Sequence, residues 1–190
     1  MKKLILLLAL MMPCFLLKAQ DEDPDLQYAT ELLKPGTKVP ELKLNDLRGK
    51  ERSLSEFLGR KVVLVFWASW CPDCRAEVPE LKEMMVSADP QKVAFVSVSF
   101  DRDFDTLCRF VEENNLGGVQ LFDPAGKKES KVGADFHVKW IPSLYLIDEN
   151  GEVILSTVVA GKVATELNKE KPKKKNPLKK GVCSDEGCSM

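Results

Sequence analysis

Between Val62 and Met85 the sequence changes its period once, and abruptly. Val62 to Phe66 is an unbroken apolar run rich in β-branched residues, the pattern of a strand buried on both faces. A few residues later helical spacing takes over. Cys74, Val78, Leu81 and Met85 fall at i, i+4, i+7 and i+11 and make one apolar stripe. The join between the two patterns is FWASWCPDCR, residues 66–75. Pro72 suits a first helical turn, and Pro79 is expected to kink the helix beyond it. A buried strand that runs straight into an amphipathic helix confines the chain to layered α/β architectures.

The flanking segments extend the pattern. Val93 to Val98 reads as a second buried strand, and Phe104, Leu107, Cys108 and Val111 form a second helical stripe that ends near Asn114-Asn115 and Gly117-Gly118. Val119 to Phe122 reads as a short strand and Lys127 to Phe136 as a weaker helix. Ser143 to Ile147 and Val153 to Val158 flank DENG, whose Asn150-Gly151 is a hairpin turn signal. A short helix from about Lys162 would close the domain. Upstream, ELKLND, LRGK and ERSLSEFLG predict a short hairpin and then a brief helix capped by Ser53 or Ser55. Residues 20–35 are acidic and weakly patterned, a loose arm with room for one helical turn. The order β-α-β-α-β-α-β-β-α implies a mixed sheet with helices on both faces.

The two ends differ from the body. Lys2 and Lys3 precede an apolar stretch, Leu4 to Leu17, and Ala19 is a small residue suited to cleavage before Gln20, so residues 1–19 read as a signal peptide. The stretch is too short for a confident membrane span. Met12 and Pro13 stand before Cys14 where a lipidated cysteine would need small residues, so plain cleavage is expected over a lipoprotein. At the other end, residues 169–190 carry seven lysines, three acids and almost no large apolar side chains, a composition expected to be disordered. The body, residues 20–168, holds 18 basic against 26 acidic side chains, which argues against nucleic-acid binding. The 190 residues suffice for one core, and two compact domains are not expected.

Beyond the signal segment lie Cys71, Cys74, Cys108, Cys183 and Cys188. A domain of this size needs no disulfide framework, so these cysteines are expected to do chemistry. Cys71 falls at the junction of buried strand and helix N-terminus, where unpaired amides and the helix dipole stabilise a thiolate. Cys74, one turn later, lies on the apolar stripe and should be buried. An exposed thiol and a shielded one make an attacking and a resolving cysteine. The bland alternatives are an inert disulfide or half of a zinc site. Zinc would need two more ligands, whereas His137 is the only histidine and the body has no second CxxC, so no metal is expected. Cys108 reads as a small buried residue. Cys183 and Cys188, in CSDEGC, could close a small disulfide loop, bind a soft metal, shuttle electrons to Cys71 or merely oxidise.

FWASWCPDCRAEVPEL resembles the active-site segment of thioredoxin-like proteins, especially exported thiol–disulfide oxidoreductases of the TlpA/ResA type. The resemblance covers roughly Gly36 to Leu167 and includes WIPSLYLIDENGEVI, with Ile-Pro ahead of a strand. It implies a thioredoxin-like mixed sheet at 36–168 with an added N-terminal β-hairpin and a central αβ insertion, preceded by an arm at 20–35. It implies a cis Ile141-Pro142 bond facing Cys71, with Trp70, Pro72, Asp73, Ile141 and Pro142 contacting the substrate and Trp67 beside them. Thioredoxins themselves carry a buried acid six residues before the first cysteine. That position is Val65 here. The TlpA/ResA type instead has a glutamate three residues after the second cysteine, and Glu77 occupies that place as candidate general base for Cys74. Read without the resemblance, Glu77 is a solvated helix glutamate.

The resemblance also implies a periplasmic enzyme that needs no cofactor, acts on disulfide-containing envelope proteins, and is recharged by a membrane thiol reductant. Asp73 opposes the Cys71 thiolate, Arg75 partly offsets it, and Ile141 resembles the residue before the proline in reductants. A reducing or isomerising role is therefore expected over primary oxidation. Two other readings compete. A thiol peroxidase of related fold would carry threonine three residues and proline seven residues before its cysteine, where this chain has Ala68 and Leu64. A copper-handling module would use the CxxC and tail thiols, but relatives of that kind have wider cysteine spacing plus a histidine.

Overall fold

The computed structural model describes residues 22–169; the signal segment, and the tail residues 170–190 with Cys183 and Cys188, lie outside the described residues. A short helix α1 (Asp25–Tyr28) precedes the hairpin β1 (Lys43–Asp46) and β2 (Glu51–Ser53) and a 3₁₀ turn, Leu54–Phe57. Then come β3 (Lys61–Trp67), α2 (Pro72–Ser87), β4 (Val93–Ser99), α3 (Phe104–Glu113) and β5 (Val119–Phe122). Two short helices α4 (Gly126–Glu129) and α5 (Lys131–Asp135), the strands β6 (Ser143–Ile147) and β7 (Val153–Thr157), and α6 (Ala160–Lys169) complete the domain. The strands form one seven-stranded sheet in the order β2-β1-β5-β4-β3-β6-β7.

The sheet is mixed because short turns can join only antiparallel neighbours, while helical crossovers return the chain parallel. Thus β3, β4 and β5 are parallel across α2 and α3, whereas β6 runs antiparallel to β3 and β7 antiparallel to β6. Strand β3 lies inside the sheet, and Val62 to Phe66 are fully buried, as an apolar run without alternation requires. Its side chains feed two layers. Trp67 packs on Phe110 of α3 at 5.5 Å between centroids, and its neighbour Phe66 turns the other way onto Phe100, Phe136 and Tyr145. Helices α2, α3 and α6 therefore share one face, and the segment ending at Phe136 covers the opposite one.

The Asn150-Gly151 turn is where the composition placed it, with Gly151 at φ 85° and its amide donating to Asp148 O at 3.1 Å. Gly118 is required at the start of β5. Its φ is +73°, and a Cβ there would meet Phe95 O at 2.7 Å.

Four expectations need correction. The helix expected over Lys127 to Phe136 is two pieces, because Ser130 leaves helical geometry and caps α5 by accepting from Gly133 N at 2.7 Å. On α2 the buried stripe takes Met84, with Met85 only half-buried, because α6 packs along that side of the helix. On α3 only Leu107 is fully buried; Cys108 is half-buried, and Phe104, at the first turn, stays partly exposed while its ring meets Phe122 at the end of β5. The segment 22–35 is no loose arm. Asp25 accepts from Thr157 Oγ1, from Val158 N at 2.8 Å and from Lys162 Nζ, while Ala29 and Leu32 enter the core.

Candidate active site

The register of the sheet builds the site. In the β3–β6 ladder Phe66 pairs with Ser143, so the next step sets Pro142 alongside Trp67. Proline has no amide to continue the ladder. The Ile141-Pro142 bond is cis, as the resemblance implied, and it lies against the point where β3 gives way to the turn Ala68–Cys71. That turn closes with Cys71 N donating to Ala68 O at 3.2 Å.

Cys71 is the N-cap of α2, in extended geometry with ψ 118°. Its Sγ accepts the Cys74 amide at 3.3 Å and lies 3.5 Å from Ile141 O, to which the thiol donates. The sulfur thus fills the place of a capping oxygen at a helix N-terminus. The expected contrast of an exposed and a shielded thiol is corrected, because Cys71 is only 5% exposed and Cys74 2%. The Cys71 sulfur is held between the Cys74 amide and the Ile141 carbonyl, and the Cys71 amide is taken up by Ala68 O. What separates the two thiols is their surroundings. Burial first, and then the hydrogen bond with Cys71, push the Cys74 thiol well above its ordinary value; a backbone hydrogen bond at Ala68 opposes them, and the charges of Cys71 and Asp73 add smaller upward pushes. Cys108 is also raised, by burial and then by Asp105 and Glu112.

The other expected residues fall into three groups. Trp70 (58% exposed), Pro72 and Asp73 stand at the mouth. Ile141 and Pro142 are buried beside Cys71. Glu77 shares the flank of Cys74 one turn on, but its Oε2 accepts from Ala160 N at 2.7 Å, so the carboxylate rests on the N-terminus of α6. Arg75 lays its guanidinium 5.8 Å from the Phe110 ring centroid rather than reaching towards Asp73.

Two features were not foreseen. Asp101, 2% exposed, follows β4 and accepts from Ser69 N at 2.9 Å, Ser69 Oγ at 2.7 Å and Ser99 Oγ at 2.6 Å. This buried carboxylate clamps the turn two residues before Cys71. Its only sequence signal is an acid placed just past a fully apolar strand, at the carboxyl end where α/β sites gather. Trp140, beside Ile141, stacks on Tyr28 of α1 at 4.4 Å and stays partly exposed, so the N-terminal segment supplies part of the rim.

The fold and the paired thiols define a thioredoxin-like protein-disulfide oxidoreductase. A model of the AhpC/TSA family matches residues 35–156, and the chain belongs to that family. It is 32% identical over 125 residues to the thioredoxin-like protein YneN of Bacillus subtilis, covering 64% of this chain and 69% of the relative. To the thiol-disulfide oxidoreductase ResA of Geobacillus kaustophilus it is 30% identical over 140 residues, covering 72% and 78% respectively. Among solved structures, a Chlorobium tepidum protein assigned as the thiol:disulfide interchange protein DsbE superposes with TM-score 0.63 at 32% identity, over 70% of this chain and 94% of that one. The thioredoxin domain of a Bacteroides vulgatus thiol-disulfide oxidoreductase gives TM-score 0.66 at 24% identity, over 72% and 97%, a likeness of fold. The resemblance carried by FWASWCPDCRAEVPEL is thereby borne out.

Proposed function

We propose that the chain is a periplasmic enzyme that reduces or isomerises disulfides in envelope proteins through the Cys71–Cys74 couple. The observation that carries this is the position of Cys71 Sγ, held by the Cys74 amide at the start of α2 and facing the Ile141-Pro142 step. Cys71 attacks a substrate disulfide and expels one substrate thiolate. Cys74 then attacks Cys71 Sγ, breaks the mixed disulfide and leaves the couple oxidised. Ile141 and Pro142 offer backbone to the incoming strand, with Trp70, Pro72 and Asp73 at its edge. Glu77 Oε2 is held by the Ala160 amide, which leaves Oε1 as the oxygen that would take the proton from Cys74. The terminal apolar segment directs export, no helix of the described residues is long and apolar enough to cross a membrane, and a membrane thiol donor recharges the couple.

Insulin reduction tests the couple: it proceeds with the wild type and falls to the uncatalysed background in Cys71→Ala. A reduction potential near that of a dedicated oxidant, about −120 mV, would overturn the reducing role. The AhpC/TSA match keeps a thiol peroxidase as the second reading. Against it, Ala68 and Leu64 are buried apolar residues where such an enzyme uses threonine and proline. Peroxide consumption dependent on Cys71 and faster than insulin reduction would reverse the order.

A further inference from the structure

Cys74 lines a small cavity of about 20 Å³ together with Val65, Trp67, Val78, Gln120 and Pro142, among others. Its volume is that of a single water, since a cavity needs only about 10–15 Å³ of such space to hold one. Two of the lining residues carry the buried side-chain polar atoms that have no partner among the described residues, Trp67 Nε1 and Gln120 Oε1. The orientation of the Gln120 amide follows from its other end. Nε2 donates to Gly117 O at 2.7 Å, which leaves Oε1 as the acceptor without a partner. One atom is a donor and the other an acceptor, and leaving both dry would be costly. Where thioredoxins place a buried acid, this wall has Val65.

We propose that this cavity binds one structural water, held by Trp67 Nε1–H and Gln120 Oε1, which solvates the sulfur of Cys74 during resolution. The inference rests on the dithiol function above and adds two positioning residues, Trp67 and Gln120, to it. Such a water accepts from the Trp67 indole and donates one proton to Gln120 Oε1. Its remaining positions face Cys74: a lone pair for the thiol, or, after rotation, a proton for the thiolate. Resolution needs that thiolate. The Cys74 sulfur forms its bond to Cys71, the bond from Cys71 to the substrate sulfur breaks, and the departing thiolate takes up the proton that Cys74 lost. Burial and Asp73 both oppose ionisation of Cys74, so a hydrogen bond delivered from the cavity lowers the cost of this step. Glu77 is not part of the wall, and its carboxylate is engaged at Ala160 N.

Two experiments test the proposal on the full chain. A crystal structure of the reduced protein at a resolution that shows ordered solvent should contain one water within hydrogen-bond distance of both atoms; a dry cavity overturns it. In the second, Cys71 captures a fluorescent peptide as a mixed disulfide, and its release by Cys74 is followed against pH. In Trp67→Phe and Gln120→Leu the ratio of release rate to capture rate should fall by about tenfold, the worth of a hydrogen bond to a charged group, and the rise of release with pH should move to higher pH. Two different substitutions guard against a folding defect peculiar to one. If the wild type captures and releases peptide but both folded variants keep its pH profile, the water is overturned while the dithiol function stands. If the wild type never captures peptide, the dithiol function itself fails.

Discussion

Cys71 and Cys74 are separated by less than one helical turn, yet they belong to different parts of the molecule. Cys71 ends a turn made of polar contacts: Asp101 holds Ser69, Ser99 holds Asp101, and the cysteine itself caps α2. Cys74 projects into the apolar layer between α2 and the sheet, with Val78, Leu81 and Trp67 around it. The turn sets direction and the layer sets charge. One sulfur is held towards the Ile141-Pro142 step by hydrogen bonds, and the other is kept neutral by burial. The two thiols differ in their surroundings and not in exposed area, because both are nearly covered.

The largest way to break this contrast is to remove the clamp. Asp101→Ala strands the Ser69 amide and two hydroxyls in the interior and should cost about 3 kcal/mol in urea unfolding, with Asp101→Asn costing roughly half as much. Peptide capture by Cys71 should slow with it. A loss below about 0.5 kcal/mol would show that the turn does not depend on the carboxylate.

The second test sharpens the contrast through pH. The folded Cys74 thiol is raised above its ordinary value of 9.0, so above that pH the unfolded chain sheds a proton that the folded one keeps. The stability that Cys74 contributes is whole below pH 9.0 and is lost as pH rises beyond it, by at most about 1.4 kcal/mol per pH unit. Reduced wild type should therefore lose stability faster than Cys74→Ala over this range. Tyr145 and Cys108 are raised too and add the same background to both proteins. Parallel curves would contradict the burial account of Cys74.

The smallest effect concerns Glu77, which stands between the two regions. As an acceptor at the start of α6, it should cost about 1 kcal/mol when changed to Ala, and Glu77→Gln, which keeps an oxygen, should recover most of that. If Glu77→Gln folds normally yet slows release from the mixed disulfide, the residue acts on Cys74 as well as on α6.

What could be read from the sequence follows the same division. The apolar layer announces itself by period, so the central strands, the stripe through Cys74, Val78 and Leu81 and the burial of Cys74 were legible. The cis bond and Glu77 came only with the family resemblance, since neither has a pattern of its own. Asp101 was not legible, because a single acid after a strand looks like any loop residue until the chain folds it over Ser69. Docking of the acidic N-terminal segment was equally silent. Asp25 finds Thr157, Val158 and Lys162 more than 130 residues away, a distance no local pattern spans.

The division of labour between the two thiols is tested most directly by trapping. Incubate the full-length Cys74→Ala variant with a disulfide-bonded peptide, quench free thiols with acid and an alkylating agent, and locate the adduct by mass spectrometry. The account predicts a stable mixed disulfide on Cys71, and none on Cys74 in the reciprocal Cys71→Ala variant. Capture by Cys74 at a comparable rate in Cys71→Ala would contradict it.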